Sequence, residues 1–201
     1  MEKVQDQSQW ELKTDRLILR EVNWDDLEDI FILESNPEVD EYNTLGIPDS
    51  KDVTREHLRP FIKDQKAGVR KMYCWTIRLP ADDQFIGLAG MNLSADRFKM
   101  AEIWYNLMPS HWGNGYATEV ARRLIRFGFE SLKLHRIEAG VATENKRSIK
   151  VLEKAGMSIE GIRRKILPIR GRWVDNYHYA ILEDDPWDRE PVKKISADEN
   201  N

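Results

Sequence analysis

Cysteine is nearly missing from this chain: Cys74 is the single one in 201 residues. No disulfide can close within the chain, which suits a reducing, cytoplasmic setting. Cys74 lies in an apolar stretch with no cationic or histidine neighbour in sequence, so a buried structural thiol is expected rather than a nucleophile. Long apolar runs are missing as well. None approaches the roughly eighteen residues of a membrane span, and Met1-Glu2-Lys3-Val4-Gln5-Asp6 lacks signal-peptide character. His57, His111, His135 and His178 show no metal-ligand spacing, and no metal is expected.

Charge of one sign is missing too. The formal net charge is −4, but residues 183–201 hold seven acids and three bases, so residues 1–182 balance to zero. A neutral body gives no broad basic field, which argues against DNA as a partner. Residues 1–182 also contain no long acidic stretch to attract a polybasic peptide. The basic cluster Arg163-Arg164-Lys165, with Arg170 and Arg172, falls on an expected hairpin. It reads as a solvated strand face or as a contact for an acidic group. The length suits one well-buried core, with no internal repeat or linker. The expected organisation is a flexible start over residues 1–10, one domain over 11–182, and an acidic polar tail over 183–201, disordered near its end.

What is present centres on Asn106 to Glu119. An apolar strand runs through Met108 into Trp112-Gly113-Asn114-Gly115, and a helix opens at once. Glycines let the backbone turn sharply, and the first amides of a helix lack intrahelical partners at the positive end of its dipole. Together these make a cradle for a phosphate-bearing ligand. A P-loop would need Lys after the glycines, and none follows. A dinucleotide fingerprint would need a third glycine where Thr118 stands, although Glu138 sits about twenty residues on, as that motif wants. The preceding strands, Tyr73–Leu79, Phe85–Leu93 and Met100–Met108, are joined by short polar turns. They predict an antiparallel meander, not the parallel strands of a dinucleotide fold.

The remaining pattern predicts a first strand over Arg16–Val22 and an amphipathic helix from Leu27, ending near Asn36-Pro37. A second helix over Asp52–Gln65 is weakened in its middle by Pro60. A helix over Ala117–Leu132 is followed by a strand over Arg136–Thr143 and a short helix capped by Asn145 and closed at Gly156. Two last strands, about Met157–Leu167 and Trp173–Leu182, make the hairpin.

In this setting the loop resembles motif A of the GNAT superfamily of N-acetyltransferases, Q/R-x-x-G-x-G/A, read here as Trp112-Gly113-Asn114-Gly115-Tyr116-Ala117. Trp112 stands where the family has Gln or Arg. Thr14-Asp15-Arg16-Leu17-Ile18-Leu19-Arg20 is similar to the opening of the RimJ/RimL branch. Pro109-x-x-Trp112 through Glu119, Asn145-x-x-Ser148 with Glu153-Lys154-Ala155-Gly156, and Glu160-Gly161-x-x-Arg164 with Gly171-x-x-x-Asp175 follow in that branch's order. The likeness covers roughly Trp10 to Leu182.

The resemblance implies an α/β (α+β) fold with a central, mixed, mostly antiparallel sheet flanked by helices and splayed between the fourth and fifth strands, those ending at Met108 and starting near Arg136. It implies acetyl-CoA as co-substrate. Main-chain groups of Asn106, Leu107 and Met108 would pair with the pantetheine arm. The loop of Trp112, Gly113, Asn114, Gly115, Tyr116, Ala117 and Thr118 would take the pyrophosphate. Asn145 would bond the pantetheine, cap its helix, or do both.

A thioester is already activated, so a neutral, aligned amine can attack it directly. A free α-amine, with pKa about 7.7–8.0, is about a tenth neutral at pH 7, whereas a lysine-like amine near 10.4 is neutral in fewer than about one molecule in a thousand. Glu102 is the candidate base: alternation puts it on one strand face with Trp104 and Asn106, where a carboxylate close to the cleft would be desolvated. A purely structural carboxylate is the competing reading, and His111 is the alternative base. Many family members carry a Tyr as proton donor to the leaving thiolate. The matching position here is Leu152, which leaves Ser148, set in the first turn after Asn145, as the substitute. The function expected is N-acetylation of a primary amine, on a protein amino terminus such as that of a ribosomal protein or on a small molecule. The rival is a non-catalytic acyl-CoA-binding module. The regions expected to select the acceptor are Trp24–Asn43, Asp49–Arg70 and Ile166–Asp175, and a homodimer through the hairpin or an edge strand is open to the chain.

Overall fold

A computed structural model of the chain describes residues 10–187. Of the flexible start expected over residues 1–10, residues 1–9 lie outside the described residues, as does the part of the expected 183–201 tail beyond residue 187. Strands β1 (Leu12–Lys13), β2 (Ile18–Glu21), β3 (Met72–Arg78), β4 (Phe85–Leu93) and β5 (Met100–Leu107) precede β6 (Arg136–Ala142), β7 (Ser158–Ile169) and β8 (Arg172–Leu182). Helices α1 (Leu27–Glu34), α2 (Pro37–Asp40) and α3 (Lys51–Asp64) come early, α4 (Tyr116–Glu130) follows β5, and α5 (Lys146–Lys154) follows β6. The strands form one sheet in the order β1-β2-β3-β4-β5-β6-β8-β7. All neighbours are antiparallel except β5 and β6.

Alternation along the strands decides which helix each residue meets. On β3, Tyr73, Trp75 and Ile77 face a core shared with Val120, Ala121, Leu124 and Phe127 of α4. Cys74, between them, faces a second core with Ile30 and Leu33 of α1 and Leu58 of α3. β3 is thus covered on both sides, which is why it reads as a nearly unbroken apolar run. Tyr73, Trp75 and Phe127 meet edge-to-face or stacked at 5.4–5.5 Å between centroids. The Trp75 indole N–H is satisfied by the Trp10 carbonyl at 2.7 Å.

The meander β3-β4-β5 and the final hairpin form where the sequence predicts them. Three elements differ. β1 is two residues long, too short for periodicity to reveal. The first helix ends at Glu34, and Asn36-Pro37 then begins α2 instead of merely closing α1. Pro37 supplies the preset φ of a first helical residue, and Asn36 Oδ1 accepts from the Glu38 and Val39 amides. Pro60 leaves α3 continuous, because the helical bond it removes would fall on Glu56 and both residues face solvent.

The splay occurs between the strands expected, which are the fifth and sixth once β1 is counted. β5 and β6 are in register only from Met100, Ala101 and Glu102 to Arg136, Ile137 and Glu138. β6 then stays with β8 as far as Ala142 opposite Asn176, while β5 stays with β4 as far as Leu107 opposite Gly87.

Trp104 lies flat over Gly90 of β4, where an added Cβ would come within 2.2 Å of the indole ring. Gly90→Val should therefore cost about 1–3 kcal/mol of stability, the usual penalty for forcing a packed ring to move. Urea unfolding measures it, and an unchanged midpoint would show that Trp104 is free to shift.

Candidate active site

The divergence of β5 from β6 opens a cleft of about 1410 Å³, which runs from the loop after β5 to the end of α1 and the His57–Phe61 stretch of α3. Its walls are β5 from Glu102 to Leu107, β6 from Ala139 to Ala142, the first turns of α4 and α5, and the segment following α1.

The Gly-x-Gly loop lies at one end. Gly113 and Gly115 have φ of +81° and +80°, the left-handed region that glycine enters without strain. Gly115 is the N-cap of α4 and supplies no side-chain cap. The first intrahelical bond there runs from the Glu119 amide to the Gly115 carbonyl at 3.1 Å. The amides of Tyr116, Ala117 and Thr118 are therefore left without helical partners beside an exposed loop. Asn114 braces the turn through Nδ2 to the carbonyls of His111 and Trp112. Bare amides at the positive end of a helix are an arrangement that can take a phosphate.

A clamp from Thr14 and Arg16 fixes this loop, and beyond a motif likeness no local pattern announces it. The Arg16 guanidinium bonds Glu119 through Nε at 2.7 Å and the Asn114 carbonyl through Nη1 at 3.0 Å. It also lies 4.7 Å over the Tyr116 ring. The Arg16 amide and the Thr14 hydroxyl both donate to the other Glu119 oxygen. The partners stand 98 to 105 residues apart, so no local pattern could pair them.

Trp112 turns its indole N–H to the Leu107 carbonyl at 2.8 Å, and Arg147 covers its ring at 4.6 Å. Met108 is occupied within the protein: its amide donates to Ile86 and its carbonyl accepts from His111. Since the Met108 amide faces β4, strand alternation turns the main chain of Asn106 toward β4 as well. The groups of Tyr105 and the amide of Leu107 then face the cleft. Of the expected trio Asn106, Leu107 and Met108, the middle residue is the one with a main-chain donor on the open side.

Asn145 caps α5 through Oδ1, which accepts from the Ser148 amide at 3.0 Å. Ser148 Oγ lies 2.8 Å from the Tyr105 hydroxyl, so a side chain from β5 reaches across to α5. Burial raises the Tyr105 pKa above the ordinary tyrosine value, with the Ser148 bond lowering it by less. The phenol therefore stays protonated. Alternation places Tyr105 on the apolar face with Ala101 and Ile103, where a hydroxyl needs a partner, a signal the sequence carries. Leu152 is buried in the core. Asn176 also went unread. It is buried at the cleft wall, packed against Gly140, and its Oδ1 has no partner among the described residues.

Glu102 lines the cleft but is exposed, so the desolvation expected of it is missing. Its facing residue on β4 is Asn92, and Trp104, next on the same face, packs on Phe61 of α3 at 5.8 Å. His111 sits in the loop with its Nδ1 on Ser110 Oγ at 3.0 Å. Beyond Glu102, the same cleft gathers Glu34, Glu38 and Glu41 on the α1–α2 side, whereas α5 brings Lys146, Arg147, Lys150 and Lys154, with Glu144 just before it. No stretch of sequence announces that grouping.

A profile of the acetyltransferase (GNAT) domain matches residues 16–158. The uncharacterised N-acetyltransferase YoaA of Bacillus subtilis is 36% identical over 174 residues, 86% of this chain and 96% of its own length. Among solved structures, spermidine N-acetyltransferase from Vibrio cholerae in complex with CoA and spermine superposes with a TM-score of 0.75 at 26% identity. That match covers 86% of this chain and 98% of the other. RimJ from Mycobacterium smegmatis in complex with CoA-disulfide gives 0.74 at 25% identity, over 83% and 81% of the two chains.

Gly115→Val should abolish coenzyme A binding in a folded protein. Its left-handed φ disfavours a β-branched residue, and the side chain would stand beside the phosphate cradle. Calorimetry decides it: near-native affinity in a folded variant would remove the loop from the binding site.

Proposed function

The chain belongs to the GNAT family of N-acetyltransferases, and on that premise we propose that it moves the acetyl group of acetyl-CoA to a primary amine bearing further positive charge, a polyamine-like small molecule. Membership of an enzyme family sets aside a purely acyl-CoA-binding role. The observation that carries the acceptor reading is the set of carboxylates Glu34, Glu38, Glu41 and Glu102 around one side of the cleft. An anionic cofactor is drawn instead to the α5 side and to the amides that open α4. The likeness to spermidine N-acetyltransferase supports this choice. The likeness to RimJ keeps a protein amino terminus as the second reading. The buried, unpaired Cys74 suits the cytoplasmic setting this reading assigns.

In this reading Gly113 to Thr118 hold the pyrophosphate, with the loop fixed by Arg16 and Glu119. The Leu107 amide and the main chain of Tyr105 take the pantetheine arm as an added strand, and Asn145 supports the arm while it caps α5. Alignment beside β5 supplies much of the rate, since a thioester needs little further activation. The leaving sulfur has a hydroxyl pair, Ser148 and Tyr105, within the same wall. That pair stabilises a developing thiolate by hydrogen bonding and stands where the family tyrosine is replaced by Leu152. Glu102, being exposed, acts on the acceptor as a charge and not as a desolvated base.

Two measurements test this. With acetyl-CoA fixed, kcat/KM for spermidine should exceed that for an uncharged peptide with a free amino terminus by about tenfold or more, and should fall with added salt as the carboxylates are screened. A peptide that reacts faster would move the assignment to protein amino termini. Glu102→Gln should raise KM for spermidine by roughly three- to tenfold while kcat changes little, the effect of one exposed charge. A hundredfold loss of kcat at constant KM would instead make Glu102 the proton acceptor.

A further inference from the structure

In one wall of the cleft Glu34 does more than add negative charge: it is held inside a built group with two residues of α3. Glu34 ends α1 with a side chain only 11% exposed. Thr54 of α3, fully buried, donates to Glu34 Oε2 at 2.7 Å. His57, one turn further along α3, sets Nδ1 at 3.3 and 3.2 Å from the two carboxylate oxygens. Burying a carboxylate costs several kcal/mol unless donors surround it. Apolar contacts could tie α1 to α3 without that cost, as Leu33 and Leu58 do alongside.

The arrangement fixes the imidazole. An ionised carboxylate only accepts, so the bond requires the proton on Nδ1 and leaves Nε2 as the free acceptor in the neutral ring. Nε2 has no protein partner among the described residues, and His57 lines the cleft. We infer that His57, oriented by Glu34, accepts the proton of the amine that is to be acetylated. This rests on the acetyl-transfer reading above.

The protons and electron pairs balance. An acceptor ammonium gives up two protons over the reaction. The first passes to His57 Nε2 and on to solvent through the mouth of the cleft. The freed nitrogen pair forms the bond to the carbonyl carbon, the C–S bond breaks, and its pair leaves on sulfur. The second proton from nitrogen neutralises that thiolate. An imidazole is suited to the first step because its ordinary pKa lies near neutrality. His57 is then a catalytic residue and Glu34 a positioning residue. Besides Glu34, the charged or titratable groups that share this part of the cleft are Glu38, Glu41 and Tyr42 after α1, Glu102 of β5, and the Cys74 thiol of β3, whose pKa burial raises. β4 contributes the neutral Asn92. His111, the alternative base, bonds a serine hydroxyl, and no carboxylate among the described residues orients it.

The test uses the full chain with acetyl-CoA and spermidine, following thiol release from pH 5.5 to 9.5. His57→Asn puts an amide N–H where Nδ1–H stands, which keeps the tie to Glu34 while removing Nε2. It should melt like the wild type, bind acetyl-CoA unchanged, and lose about a hundredfold in kcat at neutral pH. Its rate should then climb steadily toward the wild-type value at high pH, as free amine accumulates. Should that variant not fold, Glu34→Gln, which still offers Thr54 an oxygen, should lose about tenfold in kcat with no change in acetyl-CoA affinity. A folded His57→Asn, or failing that Glu34→Gln, with kcat within threefold of wild type and the same pH profile would overturn the proton-acceptor role and leave the acetyl-transfer reading standing. A wild-type protein inactive toward both spermidine and free-amine peptides would overturn that reading and the inference with it.

Discussion

Main-chain groups along a strand must find partners, and β5 finds them on one side only for most of its length. After Glu102 it keeps β4 and loses β6, so the groups of Tyr105 and the Leu107 amide face an open wedge. The neighbouring features work around that edge. The Leu107 carbonyl is taken by the Trp112 indole, and the Tyr105 hydroxyl reaches Ser148 across the gap. The turn after β5 delivers the chain to α4 with its first amides bare. The wedge and the phosphate cradle are therefore consecutive parts of one strand-loop-helix unit, which suits a ligand with a long amide-bearing arm and a charged end.

Charge is distributed to match. A chain with a neutral body still builds a cleft with most of its carboxylates toward α1 and α2, and with lysine and arginine outnumbering Glu144 toward α5. One cavity can thereby receive an anionic donor and a cationic acceptor from different sides. Glu34 differs from its exposed neighbours in depth. Its pairing with Thr54 and His57 turns a carboxylate that would be costly alone into a support for an imidazole.

What was legible in the sequence was local. Alternation and polar turns marked the meander, and Gly113 and Gly115 marked the loop because their φ values demand glycine. Asn145 was readable as a cap because its partner, Ser148, is three residues away. What was not legible depends on distant neighbours. Thr14 and Arg16 matched a motif, but their reason is Glu119, brought to them by the fold. Alternation gave Glu102 its face, yet its exposure depends on how far the second helical layer extends over β5. The acidic side of the cleft comes from residues scattered between Glu34 and Glu102, so a search for an acidic run could not find it. Asn36-Pro37 showed the end of one helix and concealed the start of the next, since the same pair serves both.

Everything proposed for the cleft depends on the open edge of β5 receiving the coenzyme as a strand, and amide hydrogen exchange read residue by residue tests this directly. With coenzyme A added, the amides of Tyr105 and Leu107 should exchange more slowly, while those of Asn106 and Met108, already directed at β4, should change little. Slowing confined to the loop around Gly115, with Tyr105 and Leu107 unaffected, would contradict it.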